Sequence, residues 1–302
     1  MNQINIKLLN DFLESKTDLQ QATKRNYMNT YERLINILLS NNKRKSLLTL
    51  TQKEVLDKVD KLMINNGTNP ATYNSKIDYL KLYKYLLQFN KKPISKIDKK
   101  IDKYIEINDK NKPKTNQNLI NDSQMTFKTL NDLLLSLDGQ AYLIYYILIN
   151  YNVRNQDLLI EYTDNKKVID AVIKGKVEQN IIYKSKDHFI YVRSDYKTNK
   201  IYGIKKHIIN DDKFSKIMNQ KEVNKALLLN NQEKPYQNNN ISNLIKGISN
   251  KYKPNSGLTQ ALIYKIINNH YEVTNDHKKL LQISDNRGHN LDTQKSQYSS
   301  IQ

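Results

Sequence analysis

The 302-residue chain carries 49 Lys and Arg against 30 Asp and Glu, a formal charge of +19, and no cysteine. Without thiols, disulfides, a cysteine nucleophile and thiolate metal sites are excluded, and no apolar run reaches the length of a membrane span. The basic excess is spread along the chain, with 21 basic and 12 acidic side chains in residues 1–110 and 28 and 18 in the remainder. A protein that grips a polyanion such as nucleic acid from two sides has this distribution; an AT-rich coding sequence, which inflates Asn, Lys, Ile and Tyr together, is the alternative source. The N-terminal MNQINIKLLNDFLES lacks the apolar core of a signal peptide, so a soluble intracellular protein is expected.

In chain order, LLNDFLES is a short amphipathic segment, and TKRNYMNTYERLINILLSN sets Tyr27, Tyr31, Leu34, Ile35 and Leu38 at helical spacing. TQKEVLDKVDKLMINNG opens with Thr51, has Glu54 three positions on and stops at Gly67, the pattern of a capped helix. NPATYNSKIDYLKLYKYLLQFN starts with Pro70 at a first turn and is apolar at Ile77, Leu80, Tyr83 and Leu87. Together these predict a small basic helical bundle. A further helix over Ile94–Ile107 and an open, charged, proline-containing segment over residues 109–124 mark the domain boundary.

Beyond 125 the pattern changes. TFKTLNDLLLSLDG reads as a helix, and QAYLIYYILINYNV as a helix apolar on all sides and therefore buried. HFIYVRSDYKTNKIYGIKKHIIN alternates around a polar turn, which predicts a β-hairpin with its tip near Thr198–Lys200. NISNLIKGIS, LTQALIYKIINNHY and DHKKLLQISDN return to helix. No GxxxxGK[ST] or GxGxxG occurs, so no nucleotide cofactor is indicated.

Two features carry chemistry. Arg154 follows the buried helix, where a guanidinium is costly unless it meets an anion; the partner is either Asp157, three residues on, or a phosphate. Near the end, RGHNLDTQKSQY holds His289 nine residues before Tyr298. On one straight helix these would point to opposite sides. Gly288 as a C-cap and Asp292 or Thr293 as an N-cap would break the helix between them, so that both face one cleft. Of five histidines, only His289 follows a glycine near the terminus.

An arginine after a buried helix, a lysine on a hairpin, a Gly-His and a tyrosine nine positions on occur here in an order that resembles the tyrosine recombinase/integrase family, over nearly the whole chain. ILINYNVRNQDLL resembles that family's first catalytic box, with Asp157 and Leu158 at the expected offsets from Arg154. RSDYKT resembles the hairpin with its catalytic lysine, and RGHNLDTQKSQY its final box. Integrases of low-GC viruses and mobile elements look most similar. The second box departs: Leu262-x-x-Lys265 stands where His-x-x-Arg is usual, and Val153 replaces a glycine before the arginine.

This resemblance implies a mainly α fold with a small β-hairpin or sheet (α+β), arranged as a two-domain clamp. A helical core-binding domain (1–108), a linker (109–124) and a catalytic domain (125–302) would compose it. It implies Tyr298 as nucleophile, Arg154 and Lys265 as phosphate-neutralising cations, His289 as hydrogen-bond donor to the same oxygens, and Asp157 in support. Lys197 would be the general acid, with Lys200 its competitor. A phenol of pKa about 10 needs such cationic surroundings to attack phosphorus. The partner would be double-stranded DNA, with neither metal nor cofactor required, and a monomer in solution would assemble to a tetramer on paired sites. A type IB topoisomerase and an inactive DNA-binding relative are the alternatives.

Overall fold

Tyr31, Leu34, Ile35 and Leu38 line one buried face of a helix in the computed structural model, as their spacing predicts. The structure describes residues 3–17, 19, 21–39, 45–62 and 72–300. The chain divides into two compact units, Met1–Asn111 and Lys112–Gln302.

The first unit contains α1 (Gln3–Glu14), α2 (Gln21–Leu38), α3 (Gln52–Lys61), α4 (Tyr73–Phe89) and the start of α5 (Ser95–Ser123). Leu9, Phe12, Leu34, Val55, Val59, Leu80, Tyr83 and Leu86 form its core. The capping box at α3 is present: Glu54 accepts from the Thr51 amide at 2.7 Å, and Thr51 Oγ1 accepts from the Glu54 amide at 3.2 Å. Asp60 pins α5 by accepting from Lys100 at 2.6 Å and from the Tyr104 hydroxyl. The expected stop at Gly67 and first-turn Pro70 lie outside the described residues.

The segment expected to be open is helical instead. α5 continues through residues 109–123 with Pro113 inside it. Its sparse apolar pattern hid this, because burial there rests on Asn116 and Ile120 rather than on a continuous stripe.

The second unit packs helices around a five-stranded mixed sheet. α6 (Phe127–Ser136) and the buried α7 (Gly139–Tyr151) lead to β1 (Ile160–Thr163) and α8 (Lys166–Ile173). β2 (Asn180–Lys184), β3 (Phe189–Arg193), α9 (Asn199–Tyr202), β4 (Lys205–Ile209), α10 (Asp212–Asn219) and β5 (Lys225–Ala226) follow. α11 (Asn238–Tyr252), α12 (Gln260–Val273), α13 (His277–Arg287) and α14 (Leu291–Tyr298) complete it. The fold is thus mainly α with a small sheet.

Strand order is β4-β3-β2-β1-β5, with β1 parallel to β2 and the other pairings antiparallel. The predicted hairpin is β3–β4, registered from Phe189↔Ile209 to Arg193↔Lys205. Its tip is a longer connection that carries α9 rather than a tight turn. Leu143, Ile144, Tyr145 and Ile147 of α7 sit in the core with Tyr191, Phe214, Ile241 and Ile263. Among the described residues no helix is long and apolar enough to cross a membrane.

Candidate active site

α7 ends on Asn152, whose left-handed φ of 52° reverses the chain while its side chain donates to Ile149 O at 2.7 Å. Asparagine tolerates this conformation better than most residues. That turn delivers Arg154, whose own amide donates to Asp157 Oδ2 at 3.1 Å. The Asp157 carboxylate does not pair with the Arg154 guanidinium. Its ion-pair partner is Arg193 at the end of β3, 2.8 Å away, and both side chains are fully buried. Arg193 also donates to Asn286 O, so β3, the turn after α7 and the end of α13 meet at one buried pair.

This leaves the Arg154 guanidinium free for other work. Nη2 lies 2.7 Å from His289 Nε2, and Nη1 has no partner among the described residues. A guanidinium only donates, so His289 accepts through Nε2 and its proton resides on Nδ1, which is also buried and unpartnered. Burial first, then Arg154, Arg287 and Lys197, lower the His289 pKa to about 4, so the ring is neutral at pH 7. Burial, followed by the charge of Arg287, likewise pulls Arg154 below the usual arginine value.

The joint between α13 and α14 brings the last two residues together. Gly288 caps α13 with φ 70°, and Asn290, rather than Asp292 or Thr293, caps α14 by accepting from the Thr293 amide at 2.7 Å. Tyr298 is consequently the last residue of α14, with its ring stacked on His289 at 5.4 Å and edge-on to Tyr264 at 4.7 Å. A buried network holds the helix in register: Tyr264 donates to Gln294 at 3.1 Å, and Gln294 donates to Asn268 at 2.5 Å. Asn116 of α5 donates to the carbonyls of Gln297 and Ser299 at 3.2 and 2.8 Å.

Lys197 is exposed on the β3–β4 connection, and its charge acts on His289. Its neighbours are tethered. Tyr196 donates to Gly203 O at 2.5 Å, and Thr198 donates to Gly288 O at 3.1 Å. Lys200 is exposed on α9.

Lys265 makes no hydrogen bond or ion pair to the other candidate residues among the described ones. It is half-buried on α12, next to Tyr264, and burial lowers its pKa. On α12, Tyr264 meets the Tyr298 ring and Asn268 donates to Tyr298 O at 3.5 Å. A cation that the sequence pattern did not single out lies at these rings: Arg287, 3% exposed, has Cζ 4.5 Å from the Tyr264 ring centre and 5.6 Å from that of Tyr298. Its only sequence signal was proximity to Gly-His, since α13 otherwise reads as a polar surface helix. Arg193 was passed over for a similar reason, as one basic residue in an alternating strand.

Arg154, Arg287 and His289 therefore gather at Tyr298, while Arg193 holds the buried carboxylate of Asp157. Such a site can neutralise a tetrahedral oxyanion and offer it a phenol as nucleophile. Among the described residues no group of His, Asp and Glu is arranged to hold a metal ion.

No family model matches the chain, and no curated protein matches its sequence. Among solved structures it is similar to one titled "Crystal structure of XerA recombinase", at 12% identity and a TM-score of 0.38. That likeness covers 99% of this chain and 94% of the other.

Proposed function

We propose that the chain is a tyrosine recombinase that cuts and rejoins double-stranded DNA through Tyr298. The observation that carries this reading is the gathering of Arg154, Arg287 and neutral His289 at one phenol, with the buried Asp157 carboxylate already engaged by Arg193. Positive charge left uncompensated in a half-buried site calls for an anion, and the unpartnered Arg154 Nη1 and His289 Nδ1 are donors that phosphate oxygens can take.

In this mechanism the Tyr298 phenol gives up its proton to water, and its oxygen attacks the scissile phosphorus and forms a new P–O bond. The bond from phosphorus to the 5′ oxygen breaks, its electron pair stays on that oxygen, and Lys197 supplies the proton. The products are a 3′-phosphotyrosine and a 5′-hydroxyl. Reversal with another strand's 5′-hydroxyl rejoins DNA without an energy source. Arg154 and His289 stabilise the charge on the non-bridging oxygens, a contribution of several kcal/mol in such sites. Integration of viral or mobile-element DNA by a tetramer assembled on paired sites is the finer form of the proposal, motivated by the sequence resemblance.

The test is a pool of random-sequence duplexes, each nicked so that the short fragment bearing the freed 5′-hydroxyl diffuses away. The parent protein should retain DNA covalently after denaturation, and Tyr298→Phe should not, while binding the pool as before. Equal retention by both proteins would refute the assignment. Relaxation of supercoiled DNA without site preference would point to a topoisomerase.

A further inference from the structure

Arg287 is the last residue of α13 and almost wholly buried. Burying a guanidinium is costly unless its donors are used, and most of them are. Nη1 donates to Asn152 O at 3.2 Å and Val153 O at 2.9 Å. The Gln260 side chain, its amide oxygen turned inward, takes Nη2 at 2.5 Å. Asn152 and Val153 are the two residues that set the direction of Arg154, and Asn152 is held in left-handed backbone. The face of the same guanidinium packs against Tyr264 and Tyr298, at distances where a cation attracts an aromatic ring.

We infer that Arg287 is the positioning residue of this site: it clamps the turn that presents Arg154 to the ring of the nucleophile, Tyr298. Arg154 and Tyr298 lie on elements far apart in sequence; His289 touches both directly, and Arg287 touches the turn that carries Arg154 and the Tyr298 ring. The two terminal nitrogens of Arg287, the fork that would grip a phosphate, are engaged by protein acceptors and its inner Nε is buried without a partner, whereas Arg154 keeps the terminal Nη1 unpartnered. Arg287 thus acts through other groups rather than by gripping the substrate.

The inference rests on the recombinase reading for its consequence, and its test has one arm without DNA. A single 3-fluorotyrosine at position 298 reports the ring's surroundings by fluorine NMR. In the parent its resonance should be displaced from that of exposed fluorotyrosine. Arg287→Met should return it to the exposed value, and Arg287→Lys, which keeps the charge, should hold it near the parent position. An unchanged resonance in Arg287→Met overturns the clamp whatever the protein does to DNA. Should the methionine variant fail to fold, Arg287→Gln replaces it, since it keeps amide donors for the two carbonyls but no charge.

The second arm uses the duplex recovered from the parent's covalent adduct. Misplacement of this kind costs on the order of a hundredfold in rate, so Arg287→Met should lose at least that and Arg287→Lys should regain tenfold of it. A methylphosphonate at the cleavage position removes one negative charge from the phosphate. It should restore Arg154→Ala, which lacks a substrate ligand, and leave Arg287→Met impaired. Equal restoration of both would make Arg287 a phosphate ligand and overturn the proposal. A parent that forms no adduct with any duplex would refute the recombinase reading, while the fluorine arm still decides the clamp.

Discussion

Gly288→Ala is the perturbation whose cost can be worked most directly from the structure. A Cβ at Gly288 would stand 2.3 Å from Thr198 Oγ1 and 3.1 Å from Tyr196 Cε2, and the residue has φ +70°. Left-handed backbone alone costs a non-glycine residue about 1 kcal/mol. Gly175 is the control, with φ +68° and nothing within 4 Å of an added Cβ, so its alanine variant bears the backbone term alone. At Gly288 the contact at 2.3 Å cannot persist, and Thr198 must give up its hydrogen bond to Gly288 O. Losing that bond and repacking adds about 1–3 kcal/mol. Urea denaturation should therefore rank Gly288→Ala below Gly175→Ala by about that amount. Because the displaced segment carries Lys197, strand cleavage should fall further than stability explains, and a 5′-bridging sulfur substrate, whose leaving group needs no proton, should restore much of it. Equal stability of the two alanine variants would refute the reasoning, as would a cleavage rate unchanged in Gly288→Ala.

Three further outcomes are expected. Arg193→Met should cost about 3–5 kcal/mol in urea denaturation because Asp157 is left as an unpaired buried charge, and adding Asp157→Asn should recover part of the loss; a change below about 1 kcal/mol would remove the pair from its organising role. His207 has its pKa lowered to about 4, by burial first and then by Arg193 and Lys205 against the opposing Asp285. A base depressed from 6.5 in the fold binds its proton more readily when unfolded, so stability is full above pH 6.5 and declines as pH falls toward 4. Its share is up to about 2 kcal/mol between pH 7.5 and 5, and His207→Phe, which keeps the stacking on Tyr151 at 4.5 Å, should flatten that decline. Lys265→Ala should leave single-turnover cleavage within about threefold, since Tyr264 is the α12 residue whose ring meets Tyr298 and the next helical position turns to another face; a hundredfold loss, the scale of removing a charged hydrogen bond at the reacting centre, would return Lys265 to the site.

The helices of the first unit were legible because local rules agree there: Thr51 and Glu54 form their capping box, and Tyr31, Leu34 and Leu38 keep one face buried. Gly288 was legible as a helix stop because glycine alone adopts its backbone without cost. β1 and β2 were not anticipated. Their partners are distant in sequence, as in the register Ile160↔Asn180, and IEYT and NIIYK are too short to reveal a period. The helical course of residues 109–123 escaped notice for a related reason: Asn116 is buried by its bonds to the chain around Tyr298, which no local pattern encodes. The candidate site divides in the same way. Arg154, His289 and Tyr298 announced themselves through order and spacing, whereas Arg193 and Arg287 are buried only by tertiary packing and looked like ordinary basic residues of a strand and a surface helix.

The central claim is that Tyr298 becomes covalently joined to DNA. Proteolysis of the trapped adduct, followed by mass spectrometry of the nucleotide-bearing peptide, tests it most directly. A single modified tyrosine is expected, at position 298, linked to a 3′-phosphate, with the other strand end bearing a 5′-hydroxyl. A linkage on another of the 21 tyrosines, or a 5′-phosphate on the protein, would contradict it.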